Sequence, residues 1–260
     1  MKEIKKIAVI SDIHGNLTAL QAVLSDIERR GIESIYCLGD IVGKGYHSRE
    51  CLELAQQRCE VIVRGNHEDS REALRDLFPF CHEFYLSGRL VRLLHSHPVN
   101  MTANEPFAIY ADSRLLYSMF EPSERTVSEE VADIVVFGHI HVPYLQRIYH
   151  RVLLNAGSVG DALEILQDPE QVGNALNTTC ASYLILAGVP ESRSMEDPIS
   201  YEFVSVPYDI EKELAGHEGE KDFEAYAAEL REGKYRDMEK IRRGIKAFAK
   251  ANSTVAPDLI

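Results

Sequence analysis

Cysteine is sparse in this chain, and the cysteines that it has are not arranged in pairs. The 260 residues include five, an odd number, scattered as Cys37, Cys51, Cys59, Cys81 and Cys180. No two of them form a C-x-x-C pair, which argues against a disulfide framework and against a zinc ribbon. Reduced thiols in a cytoplasm are the simplest interpretation, so we expect an intracellular protein.

Long apolar runs are missing as well. The apolar stretch between the initial MKEIKK and Asp12 is too short for a signal peptide. No segment approaches the roughly 20 consecutive apolar residues that a membrane helix needs. The sequence therefore predicts a cytoplasmic protein without a membrane partner.

Positive charge is also scarce. The chain has 28 Lys and Arg against 41 Asp and Glu, which gives a formal net charge of -13. Non-specific binding to nucleic acid or to an anionic membrane needs clustered Lys and Arg, so we expect neither. A bound metal cation can still attract an anion locally. Small phosphorylated substrates are therefore compatible with this composition.

Apolar residues make up 45% of the chain, enough for a substantial core. Their spacing predicts strands at residues 6–11, 34–38, 60–64, 90–95 and 133–137. The predicted helices are one that Asn16 caps and Gly31 stops, one at 48–57 and one at 113–120. Such β-α-β-α-β order is typical of a parallel sheet that is covered by helices and binds ligands at the carboxyl ends of its strands.

From about residue 144 to residue 208 the pattern becomes that of successive strands. The segments are LQRIY, RVLLNAGS, ASYLILAG and ISYEFVSV. We interpret them as a second sheet that packs against the first, so that one domain spans residues 1–208.

Residues 209–260 are charged and favour helix, and they predict a helical C-terminal extension. The extension carries an apolar stripe at helical spacing, made of Tyr235, Met238, Ile241, Ile245 and Phe248. Such a stripe indicates a helix that docks on its own core. A homodimer through the C-terminal helices is the alternative.

Five short motifs that carry histidine or aspartate each close an apolar run. They are Asp12-Ile13-His14, Gly39-Asp40, Gly65-Asn66-His67, His95 and Gly138-His139-Ile140-His141. In extended backbone, residues i and i+2 project to the same side. We therefore expect the D-x-H and H-x-H pairs each to aim two side chains at one point, where the other motifs arrive from neighbouring strands.

Carboxylates and imidazoles that converge in this way need a cation. Without one, desolvated carboxylates would repel one another. The donors are carboxylate, imidazole and amide oxygen, with no thiolate. This mixture suits Mn, Fe, Co or Zn better than Ca or a soft metal.

The ordered set D-x-H, GD, GNH, H and GHxH resembles the calcineurin-like metallophosphoesterases over roughly residues 6–160, with a continuation to about 208. The runs SDIHGN, GDIVGKG, RGNHE and LNAGSVG are most similar to the small bacterial phosphoesterases. The resemblance implies an α/β sandwich of two mixed β-sheets flanked by helices. It also implies metal-dependent hydrolysis of phosphoesters.

The resemblance further implies a role for each motif residue. The implied ligands are Asp12, His14 and His141 for one metal, Asn66, His95 and His139 for the other, and Asp40 as the bridge. The two ions would be divalent or mixed-valence, Mn or Fe in the first place, with Zn, Co and Ni as alternatives. A hydroxide that bridges them would attack the phosphate. His67 would act on the phosphate or on the leaving oxygen.

Two segments depart from the family pattern. His95-Ser96-His97 has Ser where the family commonly has Gly, and His97 could compete as a ligand or contact the substrate. We expect His95 to be the ligand. GDIVGKG places Lys44 where protein phosphatases have a phosphate-binding Arg, and Gly43 where they have an Asp that orients the catalytic His. Lys binds phosphate only as a point charge, so Lys44 is either a phosphate contact or a solvated loop residue.

The function that we predict is a dinuclear metal-dependent phosphoesterase that acts on phosphodiesters or phosphomonoesters. The alternative is a non-catalytic scaffold of the same fold, against which the presence of His67 argues. Within the enzymes, dinucleoside polyphosphate hydrolysis and protein phosphatase activity are further alternatives. We expect residues 96–130 to form walls of the site.

Overall fold

The structure is a computed structural model that describes residues 3–98, 113–163, 179–233, 236 and 243. Its strands are β1 (Lys5–Ile10), β2 (Ser34–Cys37), β3 (Val61–Ile62), β4 (Cys81–Leu86), β5 (Arg89–Leu94), β6 (Ile134–Phe137), β7 (Tyr144–Ile148), β8 (Arg151–Asn155), β9 (Ala181–Gly188) and β10 (Ser200–Val206). Its helices are α1 (Leu17–Arg29), α2 (Ser48–Arg58), α3 (Asn66–Asp69), α4 (Glu72–Arg75), α5 (Ser113–Tyr117), α6 (Ile210–Leu214) and α7 (Phe223–Glu232). Across these described ranges, no helix is long and apolar enough to cross a membrane.

The first sheet has the strand order β10-β9-β1-β2-β3, and β1, β2 and β3 run parallel as predicted. Strand β1 is apolar on both faces because it lies between two layers. Ile7 and Val9 pack in the cluster between the two sheets. Ala8 and Ile10 pack in the cluster beneath α1 and α2. The parallel arrangement brings the ends of β1, β2 and β3 to one edge.

The second sheet has the order β4-β5-β6-β8-β7, in which β5, β6 and β8 are parallel. The prediction that all four strands after residue 144 form this sheet is wrong. Only β7 and β8 belong to it, while β9 pairs antiparallel with β1 and with β10 in the first sheet. The apolar run of β9 indicated burial, but the run does not say which strand it pairs with. Strand β4 was not predicted.

Helix α1 begins and ends where the sequence indicates. The side chain of Asn16 accepts a hydrogen bond from the N–H of Ala19, which is the bond of an N-cap. Arg30 is the C-cap, and Gly31 follows in the left-handed region with a φ of +64°. The cap fixes the start of α1 directly after the D-x-H motif.

The C-terminal extension begins with the hairpin of α6 and α7, which confirms its helical character. Leu214, Phe223, Tyr226 and Leu230 form a cluster against which Tyr46, from the loop after β2, packs. The hairpin therefore lies against the loop that carries the GDIVGKG motif. The residues of the predicted apolar stripe lie outside the described residues, so their docking and the homodimer stay predictions.

The loop after β8 is packed against the loop after β1. Val159 donates a backbone hydrogen bond to the oxygen of Ser11 at 2.9 Å, and Gly160 donates one to the oxygen of Asp12 at 3.0 Å. A Cβ on Gly160 would overlap the carbonyl oxygen of Ile13. Only glycine therefore allows the two loops to approach this closely.

We expect Gly160→Ala to lower the free energy of unfolding by about 3 kcal/mol, because the added methyl group overlaps rigid backbone. Gly216→Ala is the control, since Gly216 has a φ of +85° and open space around its Cα. Backbone strain alone should cost the control about 1–2 kcal/mol. Urea denaturation measures both, and equal losses would contradict the packing of these loops.

Candidate metal centre

The ends of five strands bring the predicted ligands to one edge of the sandwich. β1 is followed by Asp12 and His14, β2 by Asp40, β3 by Asn66, β5 by His95, and β6 by His139 and His141. The buried members of this set are Asp12, His14, Asp40, His95 and His141. Asn66, His67 and His139 are only partly buried, so the centre opens to solvent on their side.

The first group of donors is Asp12, His14 and His141. The Nε2 atoms of His14 and His141 lie 3.0 Å apart. Oδ1 of Asp12 lies 3.2 Å from Nε2 of His141 and 3.7 Å from Nε2 of His14. Three donor atoms on three side chains thus face one small volume.

The second group of donors is Asn66, His95 and His139. Oδ1 of Asn66 lies 3.1 Å from Nε2 of His95 and 2.9 Å from Nδ1 of His139. Nδ1 of His95 lies 2.9 Å from the carbonyl oxygen of Leu38, which can only accept a hydrogen bond. That bond fixes the ring and leaves Nε2 to face the centre.

Asp40 lies between the two groups. Its Oδ2 is 3.4 Å from Nε2 of His95 and 3.9 Å from Nε2 of His14. Its Oδ1 accepts a hydrogen bond of 2.8 Å from the backbone N–H of His67. The structure therefore brings all seven predicted ligands together, with the predicted bridging carboxylate in the middle.

The backbone reaches this arrangement in a way that the sequence reasoning missed. The two i, i+2 pairs are not extended. Asp12, His14, Asp40, His139 and His141 all have φ between +50° and +69°, in the left-handed region. Asp and His tolerate this region better than most residues, but each such position still costs about 1–3 kcal/mol. The side chains converge because of tight turns after the strands, and the extended-strand explanation is wrong.

Hydrogen bonds between the turns hold this strained backbone. The N–H of His14 donates to the oxygen of Asp40 at 2.9 Å, and the N–H of Asp12 donates to the oxygen of Gly39 at 3.0 Å. The N–H of His139 donates to Oδ2 of Asp12 at 2.9 Å. Each turn is thus tied to a neighbouring turn that carries another donor.

The charges of the centre are strongly coupled. Burial by itself would raise the pKa of Asp12 and of Asp40. The facing imidazoles have the larger effect and hold both pKa values well below the usual range. These imidazoles are His141 and His95 for Asp12, and chiefly His95 for Asp40. Against the opposite effect of burial, these carboxylates raise the pKa of His95 and His141 to about 9. Bound metal cations would take over this balancing of the carboxylates, since a ligand imidazole must be neutral.

The donor set fits metal ions. Ligand atoms lie within 4.8 Å of one another in three groups, namely Asp12 with His14 and His141, Asp12 with Asp40 and His95, and His14 with Asp40 and His67. Oδ1 of Asp12 is buried, and the nitrogen atoms that face it belong to other predicted ligands, 3.2 Å away in His141 and 3.7 Å away in His14. A cation beside this oxygen would compensate its burial.

Comparison with known proteins identifies the family. Residues 6–177 match the model of the calcineurin-like phosphoesterase superfamily domain. The chain belongs to this superfamily. An uncharacterized protein from Methanocaldococcus jannaschii is 32% identical over an alignment that covers 79% of this chain and 89% of that protein. The family resemblance of the five motifs is thereby confirmed.

Two solved structures share the fold of this superfamily member. A metallophosphoesterase from Sphaerobacter thermophilus has a TM-score of 0.61 and 22% identity, and covers 89% of this chain and 100% of its own. A hypothetical protein from Pyrococcus horikoshii OT3 has a TM-score of 0.62 and 18% identity, and covers 88% and 99%. The predicted sandwich of two mixed sheets flanked by helices is confirmed.

In this superfamily member, His67 lies at the open side of the centre. Its Nε2 is 4.0 Å from Oδ2 of Asp40, and its ring meets that of His14 edge to face at 4.9 Å. The ring rests on Gly43, where a Cβ would overlap Nδ1 of His67. The glycine that replaces the Asp of protein phosphatases therefore gives His67 the room for this position.

Glu68 is a residue of the site that the sequence reasoning missed. It is fully buried, and its carboxylate accepts backbone hydrogen bonds of 2.8–3.2 Å from Asp40, Ile41, Val42 and Gly65. It thus joins the turn after β2 to the turn after β3. The signal was present as the last letter of RGNHE, of which only the asparagine and the histidine were interpreted.

Asp161 was missed as well, although it directly follows the LNAGSVG run. Its buried carboxylate contacts the ammonium group of Lys44 and lies 3.3 Å from Nδ1 of His141. Burial would raise the pKa of Asp161, but Lys44 and then His141 hold it far below the usual range. No short motif marks this residue in the sequence.

His97 is not placed with the seven donors. Its Nε2 lies 2.8 Å from Oγ of Ser118 and 3.2 Å from the oxygen of Leu115, on the side of α5. The geometry therefore favours His95 over His97 as the donor at the end of β5. Of the predicted walls, residues 99–112 lie outside the described residues.

Metal titration tests the donor set. Mn²⁺ at about 100 times its dissociation constant should stabilise the protein by about 2.7 kcal/mol and raise Tm by about 5–10 °C. We expect His95→Gln to lose most of this rise, because Nε2 of His95 faces the centre. His97→Gln is the matched control and should keep it. Loss of the rise in the His97 variant alone would show that His97 is the ligand.

Proposed function

We propose that this chain is a dinuclear metal-dependent phosphoesterase. The observation that carries the proposal is the position of Asp40 between two groups of donor atoms, with Nε2 of His67 4.0 Å from its Oδ2. A carboxylate that bridges two metal ions, with an imidazole beside them, supplies the parts needed to hydrolyse a phosphoester. Membership of the superfamily supports this class of reaction.

Carboxylate, imidazole and amide oxygen donors support a divalent or mixed-valence pair of ions, with Mn and Fe as the first candidates and Zn, Co and Ni as alternatives. When bound, such a pair would lower the pKa of a shared water and neutralise charge on the phosphate. Asp12, His14 and His141 would hold one ion and Asn66, His95 and His139 the other. Asp40 would touch both.

The chain itself supplies the group that handles the leaving oxygen. The side chain of His67 is 28% exposed, so a substrate can reach it. It would donate a proton to the leaving oxygen, or a hydrogen bond to the phosphate as charge develops. The backbone N–H of His67 donates a hydrogen bond to Oδ1 of Asp40, which holds His67 beside the proposed bridging carboxylate.

The substrate that fits this centre is a small phosphorylated molecule. Asn66, His67 and His139 form the partly exposed side, while the other donors are buried. A phosphate group that enters from this side meets His67 together with the second group of donors. Both phosphodiesters and phosphomonoesters fit, and dinucleoside polyphosphates and phosphoproteins remain alternatives within the enzyme class.

Two substrate contacts were predicted from the sequence, Lys44 and His97. The ammonium group of Lys44 contacts Asp161, and Nε2 of His97 faces Ser118. Each would have to exchange its present contact for a phosphate oxygen. Substrate binding by these two residues stays a prediction.

Hydrolysis of a bis-aryl phosphate with Mn²⁺ tests the proposal. We expect His67→Ala to lower kcat by about 10²–10⁴-fold while the Mn²⁺-induced rise in Tm remains. Asp40→Asn should lower both, because it removes the charge between the ions. His82→Ala is the matched control, since it removes a half-buried imidazole from β4, outside the centre.

The same assay separates the enzyme from a non-catalytic scaffold. The wild-type protein is given a panel of monoesters, diesters and nucleotides under several divalent metals. Metal binding without hydrolysis of any of them would contradict the proposal and favour the scaffold. Unchanged activity in both His67→Ala and Asp40→Asn would contradict the roles of these residues.

Gly43→Ala tests whether Gly43 sets the position of the His67 ring. The added methyl group would displace the ring from its present position, and a displacement of about 1 Å costs on the order of 10²-fold in rate. We therefore expect kcat to fall by about 10²-fold while KM and metal affinity stay near those of the wild type. Steady-state kinetics together with Mn²⁺ titration measure this. A loss of metal affinity equal to that of Asp40→Asn would show that Gly43 supports the ligands instead.

A further inference from the structure

Asp161 is a buried carboxylate fixed from several sides. Its backbone N–H donates to Oγ of Ser158 at 2.9 Å, and that hydroxyl donates to the backbone oxygen of Asp12 at 2.8 Å. Gly160, which precedes it, donates to the same oxygen. The position of Asp161 is therefore set by the turn that carries Asp12.

Asp161 faces the side of His141 that points away from the centre. Nδ1 of His141 contacts the backbone oxygen of Asp161 and lies 3.3 Å from its Oδ2. Both oxygens can only accept, so Nδ1 carries a proton, and Nε2, which faces Asp12 and His14, is the nitrogen that could offer a lone pair to a metal ion. A carboxylate behind a ligand histidine fixes the ring and makes it a stronger donor.

Lys44 completes this arrangement. Its ammonium group contacts Oδ2 of Asp161, and its side chain is only 14% exposed. A buried carboxylate without a cation would be costly, and removal of one partner from a buried pair destabilises a fold. Lys44 therefore balances the charge of Asp161.

The loop that presents Lys44 is held on both sides. The N–H of Gly45 donates to the oxygen of His14 at 2.7 Å. On the other side, a Cβ on Gly45 would lie 2.6 Å from the hydroxyl of Tyr226 in α7, and the ring of Tyr46 stacks on His217 at 4.3 Å. The helical hairpin thus supports the loop from which Lys44 reaches Asp161.

We propose that Asp161 is a positioning residue for the first metal site, acting through His141, and that Lys44 is its counter-ion. The inference rests on the proposed metal centre, and it assigns Lys44 a role that does not require contact with the substrate. It also gives the C-terminal hairpin a part in the centre, because the hairpin packs on the loop that carries Lys44.

Metal binding by the full-length protein without substrate tests this directly. Asp161→Asn keeps the shape of the side chain and removes its charge. We expect the affinity of one of the two Mn²⁺ ions to fall by about 10–100-fold while the other ion binds as in the wild type. Titration calorimetry in competition with a chelator measures both. Glu83→Gln, which removes a buried carboxylate paired with Arg92 in the second sheet, is the matched control and should keep both ions.

Lys44→Met separates a counter-ion from a phosphate contact. If Lys44 acts through Asp161, Lys44→Met changes the Mn²⁺ affinity of the wild-type protein. Added to Asp161→Asn, the same substitution leaves the Mn²⁺ affinity unchanged. A rise in KM of equal size in both backgrounds, with Mn²⁺ affinity unchanged, would overturn the assignment. If Asp161→Asn does not fold, Ser158→Ala takes its place. This substitution removes the hydrogen bond that the backbone N–H of Asp161 donates to Ser158, and it should lower the affinity for the same Mn²⁺ ion.

Failure of this inference is distinguishable from failure of the proposed function. Two Mn²⁺ ions that bind to Asp161→Asn as tightly as to the wild type would overturn the role of Asp161, whatever the activity. A wild-type protein that binds two ions, loses one with Asp161→Asn and hydrolyses no ester would support the inference and contradict the phosphoesterase. A wild-type protein that binds no metal would overturn both.

Discussion

The attraction between two buried carboxylates, Asp12 and Asp40, and the imidazoles that face them is the interaction on which this structure depends. The carboxylate oxygens lie 3.2–4.0 Å from imidazole nitrogens of His14, His95 and His141. Removing such carboxylates from water costs several kcal/mol each unless positive charge is close by. The imidazoles offset the carboxylates in part, which raises the pKa of His95 and of His141 to about 9, and bound metal ions would offset them more strongly. Both arrangements need the same side chains at the same edge of the sandwich.

The rest of the fold serves to hold those side chains there. Strands from two different sheets end at this edge, and the turns after β1, β2 and β6 pass through left-handed residues and hydrogen bond to one another. Glu68 joins two of the turns through a single carboxylate. Asp161 and Lys44 support the ring of His141 from behind. These contacts tie the buried side of the centre together, and His67 lies on the partly exposed side.

The sequence predicted the family, the fold class and the convergence of the seven donors, because each donor belongs to a short motif at the end of an apolar run. It failed where pairing or contact is not local. The sheet to which β9 belongs follows from its antiparallel neighbour β1, which an apolar run does not identify. The left-handed φ of the donors was missed because i, i+2 spacing reads equally well as strand. Asp161 was missed because its partners, Lys44 and His141, are distant in the sequence.

The central claim is that Asp40 lies between two metal ions. Anomalous diffraction from crystals grown with Mn²⁺ tests it most directly. The account predicts two peaks ~3.5–4 Å apart. One would be surrounded by Asp12, His14 and His141, the other by Asn66, His95 and His139, with Asp40 in contact with both. A single peak, or two peaks without Asp40 between them, would contradict it.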